Sequence, residues 1–157
     1  MKLFLFFCLV IFPVLLSAQA KQKVEKEFLN SLNTVLNKSD KIHWSDAGKM
    51  SVDTPFHINQ AGMLSVTVTY QADSSLYKIR MIAPVSKIQS VIQDEYFILL
   101  YKDNDVVVFE TNSNGQWINS DKRNLFHFGH VRDNGKLLSD TQQALLKIKN
   151  FITDDKR

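Results

Sequence analysis

From Met63 the hydrophobic positions fall on every second residue: Leu64, Val66, Val68 and Tyr70 alternate with Ser65, Thr67 and Thr69. That period predicts a half-buried strand with a hydroxyl-rich outer face. After a polar turn from Gln71 to Leu76 the period resumes at Tyr77, Ile79, Met81 and Ala83. The two runs are expected to close as an antiparallel hairpin. Ala83-Pro84 stops the second run, because proline restricts its predecessor and cannot donate to a ladder. A short strand is expected from Ile88 to Ile92. Tyr96 to Tyr101 and Val106 to Phe109 are continuously apolar, which predicts central strands with both faces partly covered. Lys102-Asp103-Asn104-Asp105 lies between them and predicts a tight hairpin with Lys102 opposite Asp105.

Beyond this point the pattern weakens. Thr111 to Gly115 reads as a loop, Trp117-Ile118 as a brief apolar patch, and Asp121-Lys122-Arg123 as a solvated turn. Leu125, Phe126 and Phe128 predict one more strand, ending at Gly129, with both Phe on one face and His127 on the other.

The two ends of the chain carry a helical period instead. Val24, Phe28, Leu32, Val35 and Leu36 form one apolar stripe, predicting a helix that ends between Asn37 and Asp40. Ser139 and Gln142 have capping-box spacing and open a second helix, with Leu138, Leu145, Ile148 and Ile152 as its stripe and Phe151 beside it. Asp46 to Asn59 predicts little except a strand near Met50 to Val52. The order is helix, about five to seven strands, helix. Short connections favour antiparallel neighbours, so the class is α+β: a bent antiparallel sheet closed by a C-terminal helix.

Composition changes one part of this picture. Met1-Lys2 is followed by Leu3 to Leu16, almost unbroken in Leu, Phe, Val and Ile, and then by Ser17-Ala18-Gln19-Ala20. Charge, short apolar stretch and small-residue site make a secretory signal, expected to be cut after Ala20. Leu3 to Leu16 is shorter than the roughly 20 residues that a membrane anchor needs, so no stable anchor is expected after the cut. The only Cys of the chain, Cys8, and four of its eleven Phe leave with residues 1–20. The mature chain, residues 21–157, is read as a single α+β domain without disulfide, thiolate or Cys–zinc chemistry. Its setting is expected to be periplasmic or extracellular, in a bacterium.

Two resemblances follow from particular residues. Ala83-Pro84-Val85-Ser86-Lys87-Ile88-Gln89-Ser90-Val91 resembles the proline-to-valine segment of bacterial pleckstrin-homology-like domains, which implies a roll of bent sheet. The long helix ahead of the strands departs from that pattern. Cystatin-like and NTF2-like folds are the alternatives. The Ser-Ala-Gln ending of the leader is similar to signal peptides of Bacteroidota, and the chain resembles the small exported proteins of that group. That resemblance implies no activity, so no catalytic residue carries over.

Charge and chemistry exclude several classes. The net charge of the whole chain is +3, with bases and acids interleaved as in Lys23-Val24-Glu25-Lys26-Glu27. No basic block of the kind that neutralises several phosphates is present, so neither nucleic acid nor an anionic membrane surface is an expected partner. His127 and His130 give an H-x-x-H spacing, but residues three apart on a strand point to opposite faces, and no metal is expected. The serines lack a G-x-S-x-G setting, the acids form no marked pair, and the five Gly are scattered singly. The sequence therefore predicts no catalytic residue and no cofactor. His43-Trp44 is read as packing between helix and sheet. Trp117, Arg123 and His127 are the candidate contact residues for a ligand, or for a protein or peptide partner met by strand addition. The expected function is an exported binding or interaction domain. The alternative is a hydrolase whose His and carboxylate are brought together only by the fold.

Overall fold

Two helices and two antiparallel sheets make up a computed structural model that describes residues 2–39, 49–72, 75–113, 115–132 and 135–154. Helix α1 (Lys2–Lys38) buries Phe28, Leu32, Val35 and Leu36, the stripe that the period of four and three predicts. The strands are β1 (Lys49–Ile58), β2 (Met63–Ala72), β3 (Ser75–Pro84), β4 (Ile88–Gln93), β5 (Phe97–Tyr101), β6 (Val107–Ser113), β7 (Gln116–Arg123) and β8 (Leu125–Gly129). Helix α2 (Gly135–Asp154) closes the order. The class is α+β, as the sequence predicts. None of the described helices is long and apolar enough to cross a membrane.

The strands divide into a five-stranded sheet, β1-β2-β3-β6-β7, and a three-stranded sheet, β4-β5-β8. The chain turns from one to the other at tight corners. A single 3₁₀ turn, Val85–Lys87, joins β3 to β4, and Asn124 alone separates β7 from β8. A sheet expected to bend has been folded into two that share corners, the device by which strands change layers. The expected β2–β3 hairpin forms, with Val66 opposite Met81 and Tyr70 opposite Tyr77, and its ladder continues into the segment read as a turn, Gln71 opposite Leu76.

The expected β5–β6 hairpin does not form. β5 pairs with β4 and β8, whereas β6 pairs with β3 and β7. The Lys102–Asp105 segment is instead a crossover between sheets, with Asp105 at φ 60° and Lys87 donating to Asp103 at 3.0 Å. Two apolar runs joined by a turn fix only that both strands are interior, which they are; the partner of each is set by the sheets on either side. β7 is a second correction. Residues 116–123 form a strand where the sequence suggests a patch and a solvated turn, because an exposed edge strand needs no hydrophobic alternation. Helix α2 begins at Gly135, a turn before the Ser139 cap, and buries Leu137, Thr141, Ala144, Leu145 and Ile148. His43 and Trp44 lie outside the described residues.

α1 occupies the gap between the free edges of β1 and β8. Phe56 of β1 meets Phe126 and Phe128 of β8 at centroid distances of 5.6 and 5.4 Å, so the seam is aromatic rather than hydrogen-bonded. Asn33 of α1 supplies the missing ladder partner. The Phe56 N–H donates to Asn33 Oδ1 at 2.8 Å, and Asn33 Nδ2 donates to the Phe56 carbonyl at 3.1 Å. Just past the end of the helix, the Ser39 hydroxyl accepts from the His130 N–H at 2.8 Å. α2 serves β4 in the same way: Gln142 Nε2 donates to the Val91 carbonyl at 3.0 Å and Lys149 Nζ to that of Gln89 at 3.1 Å.

Replacing Asn33→Ala is expected to strand two polar groups of Phe56 and cost about 1–3 kcal/mol, read as a lower urea midpoint with unchanged slope. Gly129→Ala is expected to cost a similar amount, about 1–3 kcal/mol, by overpacking. A Cβ there would stand 2.9 Å from Val35 Cγ1 and 3.6 Å from the Val35 carbonyl oxygen. A variant as stable as the parent at either position would remove α1 from this role.

Candidate functional site

The β1–β2 connection is a tight turn built by one side chain. Asn59 Oδ1 accepts from the N–H groups of Ala61 and Met63, both at 3.0 Å, and Gly62 takes φ +73°, a conformation that favours glycine. The Gly62 carbonyl then accepts from the Val85 N–H at 3.0 Å, tying the turn to the β3–β4 corner. Lys21 and Glu25, midway along α1, and the last turns of α2 border this corner without filling it. They leave a groove of about 270 Å³, walled by Ile58, Val85, Ile148, Phe151 and Ile152. Lys21, Glu25, Gln60 and Ser86 give it a polar rim. A crevice of about 330 Å³ between the two helices is larger, but Glu27, Asn30, Asp140 and Lys147 among its lining make it polar. Lys147 also donates to Glu27 at 2.7 Å, and that pair holds the Glu27 carboxyl below the usual range. A concave apolar place with a few polar groups is the ordinary form of a small-molecule site, so the first groove is the better candidate.

The three candidate contact residues do not converge on one place: Trp117 stands apart, whereas Arg123 and His127 lie within electrostatic reach of each other. Trp117 lies on the outer face of the five-stranded sheet, where the Arg80 guanidinium stands 4.4 Å from its ring centroid. Arg80 also donates to Glu110 at 2.7 Å, so cation, aromatic ring and carboxylate form one surface cluster. Arg123 belongs to the same strand and shares the odd numbering, yet it faces the other way. Phe109 pairs with Asp121 and Glu110 with Asn119, which leaves Ser120 as an extra residue. This bulge turns the second half of β7 over. Arg123 consequently covers the Phe109 ring at 5.2 Å and donates to Asp121 at 2.6 Å, which holds the Asp121 carboxyl below the usual range.

His127 lies opposite the buried Phe126 and Phe128 on β8, as the alternation predicts. Its ring meets Tyr96 edge-on at 6.0 Å, and the His130 ring meets the same Tyr96 at 5.3 Å. The strand ends at Gly129, so His130 is released from the alternation that would have sent it to the opposite face. Burial pushes His127 below its ordinary pKa, Asp94 pulls against that shift, and Arg123 adds to it. Asp94 is itself held low, chiefly by the Tyr96 N–H, which donates to Oδ1 at 2.9 Å. Among the described residues no three His, Cys, Asp or Glu come together as a metal site would require.

The outer face of β1 and β2 holds a polar network that the sequence does not announce. Thr69 donates to Asp53 at 2.9 Å, and Lys78 pairs with the same carboxylate, which is held below its usual range chiefly by Lys78. His57 pairs across the ladder with Ser65, and its Nε2 lies 3.0 Å from the Ser65 Oγ. Both residues were visible as types; their meeting was not. Centring the hairpin on Ala61 puts residues 57 and 65 opposite each other, but only once β1 is known to reach Ile58. The groove residues gave no local signal, since they come from both helices, a turn and a corner.

A depressed His127 sets a sign for stability against pH. Its contribution is complete above the ordinary His value of about 6.5 and is lost as pH falls through the lower folded value, because the unfolded chain binds the proton more readily. His127→Gln is expected to give a flatter loss of urea midpoint than the parent between about pH 7 and 5. Parallel curves for the two proteins would rule this contribution out. Compared with protein families, with curated proteins and with solved structures, the chain matches none.

Proposed function

We propose that residues 21–157 act, after export, as a binding domain that takes a small apolar or amphiphilic molecule in the groove between α1, α2 and the Asn59–Gly62 turn. The observation that carries this reading is the groove itself: an apolar floor left open beside a closely packed core. Ile148 and Val85 are almost fully buried, yet both border the opening. Burying a ligand's apolar surface against them contributes on the order of 25 cal/mol per Å² before the costs of association. The rim of Lys21, Glu25, Gln60 and Ser86 offers donors and acceptors to a polar end. Export is supported by the leader pattern of residues 1–20.

A peptide partner added to the β7 edge is the weaker reading. The Ser120 bulge, together with the charges of Asp121, Lys122 and Arg123, blunts that edge in the way that natural sheets avoid unwanted pairing. A hydrolase of the His–carboxylate kind would need those groups in a shared cleft. Asp94 and His127 interact electrostatically, but neither lines the groove.

N-phenyl-1-naphthylamine, whose fluorescence rises in apolar surroundings, is the probe of choice. The protein is expected to bind it saturably. Ser86→Phe, which places a ring at the groove rim from an exposed position, is expected to weaken binding at least about tenfold, or roughly 1.4 kcal/mol. Equal affinity in the parent and this variant, at equal thermal stability, would sink the groove as the site.

A further inference from the structure

Ser65 and His57 face each other across the β1–β2 hairpin, and their contacts fix the direction of one proton. His57 Nδ1 lies 3.2 Å from the Pro55 carbonyl oxygen, which can only accept. Nδ1 therefore carries the hydrogen, and the neutral ring presents its lone pair at Nε2. Ser65 Oγ, 3.0 Å away, donates to that lone pair. A hydroxyl, a base and an acceptor that orients the base are the parts that activate a serine, here with a main-chain carbonyl as the orienting group. The backbone around His57 is also irregular. The β1–β2 register shifts between Val52 and Thr54 and again between Thr54 and His57, and bulges of this kind re-aim side chains.

We propose that Ser65 is an acylatable nucleophile, with His57 as its general base and an activated ester or thioester as the acyl donor. Ser65 Oγ attacks the carbonyl carbon while its proton passes to His57 Nε2. The bond from that carbon to the leaving oxygen or sulfur then breaks, and the imidazolium returns the proton to the departing group. The products are an acyl ester on Ser65 and a free alcohol or thiol. β2 is an interior strand, so the N–H groups beside Ser65 are engaged in ladders with β1 and β3. They are not aimed at a developing oxyanion, which confines the reaction to donors whose leaving group departs readily and excludes amides. Ser65 retains only 8 % exposure beneath an exposed His57, which favours a small acyl group. The pair stands on the opposite face of the hairpin from Ile58 and the groove, because neighbouring strand residues alternate. The two sites can therefore fail independently.

Incubation of the protein with p-nitrophenyl acetate tests the assignment, with p-nitrophenolate release and peptide mass mapping as readouts. About one equivalent is expected to be released in a burst, with one acetyl group on the peptide that holds Ser65. Ser65→Ala should abolish the burst. His57→Gln leaves the hydroxyl in place and should slow acetylation of Ser65 at least tenfold. Circular dichroism and thermal melting establish that each variant is folded; should either variant melt early, the peptide map of the unmodified sequence decides alone. Acetyl groups confined to lysines, or a rate at Ser65 unchanged in folded His57→Gln, would overturn the proposal.

Discussion

The fold depends on the fit of α1 into the gap between two strand edges. β1 ends one sheet and β8 ends the other, and neither can pair with its neighbour across the aromatic seam of Phe56, Phe126 and Phe128. A helix can fill such a gap only if it satisfies the backbone that it covers. Asn33 does so with both ends of its amide, on a helix that otherwise contributes Phe28, Leu32 and Val35 to the core. Gly129 lets that helix come close, since any side chain there would meet Val35. The core then needs no continuous barrel of strands, because side-chain amides complete the ladders where strands run out.

The same economy governs the remaining edges. α2 brings Gln142 and Lys149 to the outward carbonyls of β4, while β7 carries a bulge and charges instead. The bulge at Ser120 has a second effect. It separates Trp117 from Arg123 by turning one end of the strand over, so two residues that share a strand serve different faces. One buried group stands outside this accounting: the Tyr101 hydroxyl has no hydrogen-bond partner among the described residues, and burial drives its pKa upward.

The β1–β2 turn links structure to chemistry. Asn59 holds the turn, the Gly62 carbonyl accepts from the Val85 N–H at the corner, and the groove opens where that corner meets α1 near Lys21 and the end of α2. On the other face of the same hairpin, His57 and Ser65 share a proton whose direction is set by the Pro55 carbonyl. A short, well-held hairpin thus presents an apolar surface on one side and a polar pair on the other. Alternation between residues 57 and 58 and between 64 and 65 puts the two on opposite faces.

What the sequence determined is what depends on neighbours along the chain. The stripe of α1, the alternation of β2 and β3, and the division of Phe126 and Phe128 from His127 are local periods, and each could be read directly. Interior strands were legible from unbroken apolar runs such as Tyr96 to Tyr101. What only the tertiary structure decided is which edge meets which. The partner of β5, the strand character of residues 116–123, the meeting of His57 with Ser65 and the groove all join segments distant in sequence. The interactions that choose among such pairings, Asn33 with Phe56 or the Ser120 bulge, involve single polar residues that carry no period. Periodicity fixes which face of an element is buried; the choice of partner rests on contacts that leave no pattern along the chain.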